Sequence, residues 1–342
     1  MANLRTRFPG QVRSVDVKPL DEWYQVFDDV DNQVLDLRLL ESCNKACTGV
    51  STVYNLAADM GGMGFIENNK SLCMLNVLID THLLQAAHAA GATRFFYAST
   101  ACVYNTEKQS HANIEPLCET DAYPAMPEDG YGWQKLFSER MCRHFREDFG
   151  LETRIARFHN VYGPFGTWDG GREKAPAAIC RKVIEAKEHG TGEIEIWGDG
   201  TRTRSFMYID DCIEGINRIM SSDVNEPLNL GSNKLVTINE LVGIVEGIAN
   251  INLDRRHNMS APQGVHGRNS DNTLIQERLG WQPNIPLSIG MANTYAWILK
   301  QYKAATIWWF WFELILERPL GGIHFFLLID HLNLPLFTVP IS

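Results

Sequence analysis

Tyr97-Ala98-Ser99-Thr100-Ala101-Cys102-Val103-Tyr104 and Tyr131-Gly132-Trp133-Gln134-Lys135 are the two stretches whose reading decides the fold. The first is a short apolar run that ends in hydroxyls and a thiol. The second sets a phenol and an ammonium four residues apart, which in a helix puts both on one face. An ammonium beside a phenol stabilises the phenolate and lowers the phenol's pKa, making Tyr131 a usable base near neutral pH. That is the chemistry needed to take a proton from a hydroxyl while a hydride leaves the same carbon. The spacing alone also fits an exposed helix face, so its surroundings must decide.

Working outward, short β-like runs alternate with helical ones. Val12-Arg13-Ser14-Val15-Asp16 and Val34-Leu35-Asp36-Leu37 read as strands ending in acids, and residues 39–47 as a helix. Residues 51–58 read as a buried strand running into Asp59-Met60-Gly61-Gly62-Met63-Gly64. A glycine-rich loop at a strand's carboxyl end is where ligands sit in open α/β sheets, so close backbone approach to a ligand is expected there. Residues 72–90 form a long amphipathic helix, 94–99 a strand, and the helix carrying Tyr131 and Lys135 runs to Phe149 before Gly150. Residues 153–158 are another strand. This alternation predicts an α/β fold, a Rossmann-like doubly wound parallel sheet covered on both faces.

After Pro164 come a polar glycine-rich loop, a helix over 175–186, a strand over 193–197, a tight turn at Gly198-Asp199-Gly200, helices over 209–220 and 237–249, and a final helix over 290–302. The expected division is a nucleotide-binding domain over residues 1–165, a smaller α/β lobe over 166–303 and an apolar tail over 304–342.

The chain has 342 residues and a net charge of −10, which argues against a nucleic acid or an anionic membrane as partner. Its eight cysteines form no CxxC pair or Cys/His cluster of zinc spacing, so no metal is expected. Cys73, Cys142 and Cys180 lie in apolar runs and read as buried free thiols of a reducing, cytoplasmic compartment. Met1 to Gly10 has no apolar core, so no signal peptide is expected.

Asn55-Leu56-Ala57-Ala58-Asp59-Met60-Gly61-Gly62-Met63-Gly64-Phe65, Arg157-Phe158-His159-Asn160-Val161-Tyr162-Gly163-Pro164, Gly170-Gly171-Arg172-Glu173-Lys174-Ala175-Pro176 and Gly267-Arg268-Asn269-Ser270-Asp271, taken with the opening stretches, resemble the GDP-mannose 3,5-epimerases. These are extended short-chain dehydrogenase/reductases acting on sugar nucleotides. The resemblance runs from Val12 to Tyr302. It implies bound NAD that takes a hydride from C4 of the mannose ring, with Tyr131 as base and Lys135 tuning it. The 4-ketone then acidifies the C3 and C5 protons. Cys102 is implied as the base that removes one, through a thiol pKa lowered by nearby positive charge, and Lys174 as the acid that returns one from the opposite face. The products would be GDP-L-galactose and GDP-L-gulose, for ascorbate and cell-wall sugar supply. Gly61, Thr100 and Ala101 are implied beside the sugar; Asn160, Glu173, Ala175 and Lys182 at sugar and phosphate; Arg202, Thr203, Arg204 and Arg268 at diphosphate and guanosine, where Arg forks suit the oxygens. Asp16 and Asp36 are implied on the adenosine side of NAD. A homodimer is expected. Another epimerase or dehydratase of the superfamily, or a silent paralogue that only binds a sugar nucleotide or a partner subunit, stand as alternatives.

Two departures qualify the resemblance. Met1 to Gln11 supplies one glycine, Gly10, and no apolar strand, so the family's opening glycine-rich βα unit is expected to be missing and NAD to be held weakly. The run Ile307-Trp308-Trp309-Phe310-Trp311-Phe312 opens a tail of different texture, in which no helical period is expected to continue; too short to span a bilayer, it reads as sequence foreign to the fold, with a membrane-interface anchor or a packed C-terminal extension as the other readings.

Overall fold

Four parallel strands form the central sheet, in the order Leu228–Leu230, Glu152–Phe158, Arg94–Thr100, Thr52–Asn55. The computed structural model describes residues 1–316. The described chain divides into two compact units: Leu37–Leu299, which holds this sheet, and Met1–Asp36 with the end of the last helix from Lys300.

Alternation along the Arg94–Thr100 strand sends neighbouring side chains to opposite faces. Phe96 packs with Ala156, Ile219 and Leu228 under the helix Ile209–Ser221. On the other face the Tyr97 hydroxyl donates to Asp80 of the helix Lys70–Ala89 at 2.8 Å, and Gln134 of the helix Asp129–Phe149 donates to the same carboxylate at 2.6 Å. The sheet is therefore covered on both sides, as the alternation of elements predicts. Gly150 ends the long helix at φ +72, a left-handed position that suits glycine.

A buried ion pair locks that helix to the sheet. Arg157 donates through Nη2 to Glu139 Oε2 at 2.7 Å and through Nε to Oε1 at 2.9 Å, and Ser99 Oγ donates to the same Oε1. Both charged side chains are under 5% exposed. Arg157 Nη1 also reaches the Glu119 carbonyl at 2.7 Å.

Smaller pieces follow in the same unit. Thr203–Ser205 pairs antiparallel with Leu235–Thr237 and parallel with Gly267–Arg268. Glu193–Trp197 pairs parallel with Asp254–Asn258.

In the first unit Arg13–Asp16 pairs in parallel with Asp31–Val34, Arg13 facing Asp31. The expected second strand over Val34–Leu37 is thus displaced towards the N-terminus. Polar Asp31-Asn32-Gln33 carries no apolar strand signature, and pairing with a distant segment overrides local propensity. The last helix, expected to end at Tyr302, extends over Leu287–Leu316, contrary to the expected loss of helical period, because no Gly or Pro interrupts residues 303–316. The rest of the expected tail, residues 317–342, lies outside the described residues. No described helix is long and apolar enough to cross a membrane.

Breaking a buried ion pair by removing one partner strands the other charge. Glu139→Ala is expected to lose about 3–5 kcal/mol in urea unfolding. Replacing both partners with apolar residues should lose less than that.

Candidate active site

The carboxyl end of the Arg94–Thr100 strand delivers the first group of side chains. Thr100 accepts the Cys102 amide N–H at 3.2 Å, opening a short 3-10 turn over Ala101–Val103. Cys102 and Tyr131 pack in one small apolar cluster with Ile66 and Cys73. The Asp129–Phe149 helix approaches this turn closely: the Glu128 amide donates to the Cys102 carbonyl at 2.9 Å, and a Cβ on Gly132 would overlap that oxygen. The sequence expectation that Tyr131 and Lys135 share a helix face holds, with Lys135 Nζ 6.0 Å from the Tyr131 ring centre and 4.8 Å from that of Tyr97.

The electrostatics differ from expectation. Burial, then the neighbouring Cys102, push the Tyr131 phenol up, and a hydrogen bond with Thr100 offsets only part. Lys135 sits beside the ring and spends one N–H on the Ala98 carbonyl at 3.1 Å, so it does not overcome this in the free protein. Cys102 is likewise raised rather than lowered, by burial first and then by Glu128, with Arg268 opposing. Lys174 behaves as anticipated: burial lowers its ammonium pKa, and Cys102 is among its electrostatic neighbours. The expected acid and base are therefore brought together, both closer to their neutral forms than in water.

Lys174 is positioned by a second close approach. Gly62 N–H donates to the Arg172 carbonyl at 2.9 Å, and a Cβ on Gly62 would overlap the Glu173 carbonyl oxygen. A Cβ on Gly61 would stand 2.8 Å from Phe65 Cβ and 3.2 Å from Arg172 Cα. Arg172 pairs with Asp59 at 2.6 Å and lies over the Phe65 ring. Gly61 and Gly62, in the loop where a ligand's close approach is expected, admit the chain's own segment 172–173. Lys174 then caps the helix Ala175–His189, with Pro176 in its first turn.

The remaining residues fall into two sets. Arg268 is buried, donating to Gln109 Oε1 at 2.7 Å, Glu128 Oε2 at 2.7 Å and Cys102 Sγ at 3.4 Å. Arg204 feels Arg268, Glu128 and Cys102 and donates to the Val265 carbonyl at 2.6 Å, while Thr203 Oγ1 donates to Ala112 O. Arg202 donates to Gln263 and Gly264. Asn160, at φ +41, donates to the Ser205 carbonyl at 3.0 Å. Glu173 pairs with Arg181 through Oε1, while its buried Oε2 has no partner among the described residues. Lys182 is not drawn into the group around Cys102: its ammonium bonds Glu195 and faces the Trp197 ring. Asp16 belongs to the first unit, exposed at its strand's end and accepting the Lys18 amide N–H at 3.0 Å; Asp36 closes that unit's first segment. Glu128 and Gln109 were not anticipated. An acid just before a helix, as Glu128 is, and a glutamine in a short 3-10 turn, as Gln109 is, are too common in sequence to mark either.

For a dinucleotide, the nicotinamide side fits. Lys135 is only 3% exposed and uses one of its three donors in the bond named above, leaving two for ribose hydroxyls. Ahead of Arg13–Asp16 stands Gly10, at φ +66, where a Cβ would meet nothing within 4 Å.

The family model for the NAD dependent epimerase/dehydratase family matches residues 11–231. The chain belongs to that family. It is 51% identical over 271 residues to GDP-mannose 3,5-epimerase 1 of Oryza sativa subsp. japonica, covering 79% of this chain and 70% of that protein. It is equally 51% identical to GDP-mannose 3,5-epimerase of Arabidopsis thaliana, covering 79% and 71%. Among solved structures, UDP-glucose 4-epimerase of Thermotoga maritima with UDP-glucose superposes with a TM-score of 0.78 at 21% identity, covering 88% of this chain and 94% of that one. This family fold is the α/β, Rossmann-like architecture expected from the alternating elements.

Gly62→Ala is expected to lose about 1–3 kcal/mol in urea unfolding, as overpacking does. Gly247→Ala, in the helix Ile238–Ala249 with open space at its Cβ, should instead gain about 0.5–1 kcal/mol. Equal effects of the two would show that segment 172–173 does not press on the loop.

Proposed function

We propose that the chain is a GDP-mannose 3,5-epimerase, converting GDP-D-mannose to GDP-L-galactose and GDP-L-gulose. The observation that carries the reading is the meeting of Cys102 and Lys174, a thiol and an ammonium each shifted towards its neutral form, beside Tyr131 and Thr100. Identity to enzymes of that name supports it. NAD, when bound, supplies transient hydride acceptance at C4 of the sugar. Lys135 would hold the nicotinamide ribose with its two remaining donors. Tyr131, hydrogen-bonded with Thr100, would take the proton of the C4 hydroxyl, which requires that bound positive charge reverse the upward push of burial.

Cys102 and Lys174 would then act on the carbons flanking the ketone. A base takes a proton from one face and an acid returns one to the other, which is what inversion demands. A neutral thiol must first lose its proton, so the raised Cys102 is the group whose ionisation limits the acid side of the pH profile. Lys174 must be protonated to act as acid. Its lowered pKa brings the loss of that proton nearer to neutrality and sets the alkaline limb. Gly61, Thr100, Ala101, Asn160, Glu173 and Ala175 are proposed at the sugar, the unpartnered Glu173 Oε2 favouring a hydroxyl donor. Arg202, Thr203 and Arg204 are proposed at the diphosphate and guanosine.

We further propose a homodimer. The helices Lys70–Ala89 and Asp129–Phe149 lie side by side and expose Leu72, Met74, Leu75, Leu78, Trp133 and Phe137. Such an apolar row favours burial against a second copy. A cytoplasmic setting, with a role in ascorbate and cell-wall sugar supply, is proposed too. The absence of a disulfide among the eight cysteines supports a reducing compartment.

Incubation with GDP-mannose and NAD in heavy water should place deuterium at C3 and C5 of the recovered sugar. Cys102→Ser and Lys174→Met should each lower that exchange by about 10²–10⁴-fold, and absence of label from both carbons in the wild type would refute the reading. Light scattering should give twice the chain mass for the wild type and a monomer for Phe137→Glu; a monomeric wild type would remove the dimer.

A further inference from the structure

The Cys102 thiol is embedded in a charged triangle. Arg268 Nη1 donates to its sulfur at 3.4 Å, Arg268 Nη2 donates to Glu128 Oε2 at 2.7 Å, and the Glu128 charge is an electrostatic neighbour of the thiol. Arg268 Nε is held by Gln109 at 2.7 Å. The side chains of Arg268 and Glu128 are only 5% and 14% exposed, and the Glu128 amide is tied to the Cys102 carbonyl as well. With these three acceptors the guanidinium uses three of its five donors inside the protein.

We propose that Glu128 is a positioning residue that pins the Arg268 guanidinium against the Cys102 sulfur, and that this pair sets how readily the thiol gives up its proton. Glu128 acts in two opposed ways. Its negative charge beside the thiol favours the protonated form, while the guanidinium it holds in place favours the thiolate. Burial is the largest single influence and would raise the Glu128 carboxyl, but the charge and hydrogen bond of Arg268, with smaller help from Cys102 and Arg204, together outweigh it and lower the group's pKa. The other groups facing the thiol are Tyr131 on the helix beside it, Thr100 on its own strand, Lys174 before the helix Ala175–His189, and Arg204 on Thr203–Ser205. Of these, Lys174 and Arg204 are cations, so Glu128 is the acid that balances the positive charge at this thiol.

The inference rests on reading Cys102 as the base, but its test needs no turnover. In the free chain, iodoacetamide labelling of Cys102 is followed by peptide mass spectrometry from about pH 6 to about pH 10, where thiols titrate. Glu128→Gln keeps an acceptor for Arg268 and removes the negative charge, so the labelling midpoint should fall by about one unit. Arg268→Lys keeps the charge and loses the fork, so the midpoint should rise by a similar amount. Circular dichroism establishes that each variant is folded. A purely structural Glu128 would change the plateau rate and leave the midpoint in place; an unmoved or raised midpoint in folded Glu128→Gln overturns the proposal. If that variant does not fold, an unmoved midpoint in Arg268→Lys overturns it. Because no sugar nucleotide is present, failure of the labelling shift and failure of deuterium exchange are separate results.

Discussion

The Glu139–Arg157 ion pair is the constraint on which the rest of the site depends. It lies under the carboxyl ends of two adjacent strands, where Ser99 of one and Arg157 of the other share a single carboxylate from the long helix. Two fixed charges withdrawn from water tolerate little displacement, because each ångström of separation leaves desolvation less compensated. The pair therefore sets the height of the helix on the sheet. Tyr131 and Lys135 occupy the turns preceding Glu139 on that same helix, so their distance from Thr100 and Cys102 is inherited from it. Tyr104, Asn229 and His159 extend the polar network across the sheet: Asn229 Oδ1 is bonded by the Tyr104 hydroxyl and lies 2.9 Å from His159 Nε2. Burial lowers His159 to about 3, so the network carries a neutral imidazole.

The second organising contact is steric. Gly61 and Gly62 let segment 172–173 lie directly on the loop that follows the Thr52–Asn55 strand, and Asp59–Arg172 closes the contact from outside. Lys174 is the next residue along. Its position, within electrostatic reach of Cys102, is thus set by two missing side chains and one exposed ion pair, which itself contributes little. Seen together, the ion pair fixes one side of the reacting centre and the glycine contact fixes the other.

Much of the fold was legible in sequence. The Arg94–Thr100 and Glu152–Phe158 strands, the long helix and its Gly150 stop all follow from local periodicity and breakers. The second strand was misplaced because Asp31-Asn32-Gln33 is polar, and its pairing with Arg13–Asp16 is a tertiary fact. The last helix was cut short because an abrupt change in composition was taken for a change in structure. Among candidate site residues, Tyr131, Lys135, Cys102 and Lys174 follow from motif, whereas the upward push on Tyr131 and Cys102 in the free chain does not. Motifs name neighbours in sequence, whereas the upward push comes from burial, which no motif states.

The sequence by itself determined the order of strands and helices, and the residue types at the reacting centre, because these depend on neighbours within a few turns of chain. Only the tertiary structure decided that Gly61 and Gly62 admit the chain's own segment 172–173, and which arginine touches the thiol. Arg268 and Cys102 are 166 residues apart. Their contact exists because separate segments are driven into one low-dielectric space, where a charge must find its partner or pay in desolvation. Glu128 shows the same point most sharply: in sequence it is an acid before a helix, and in the folded chain it is the counter-charge to the residue that touches the thiol.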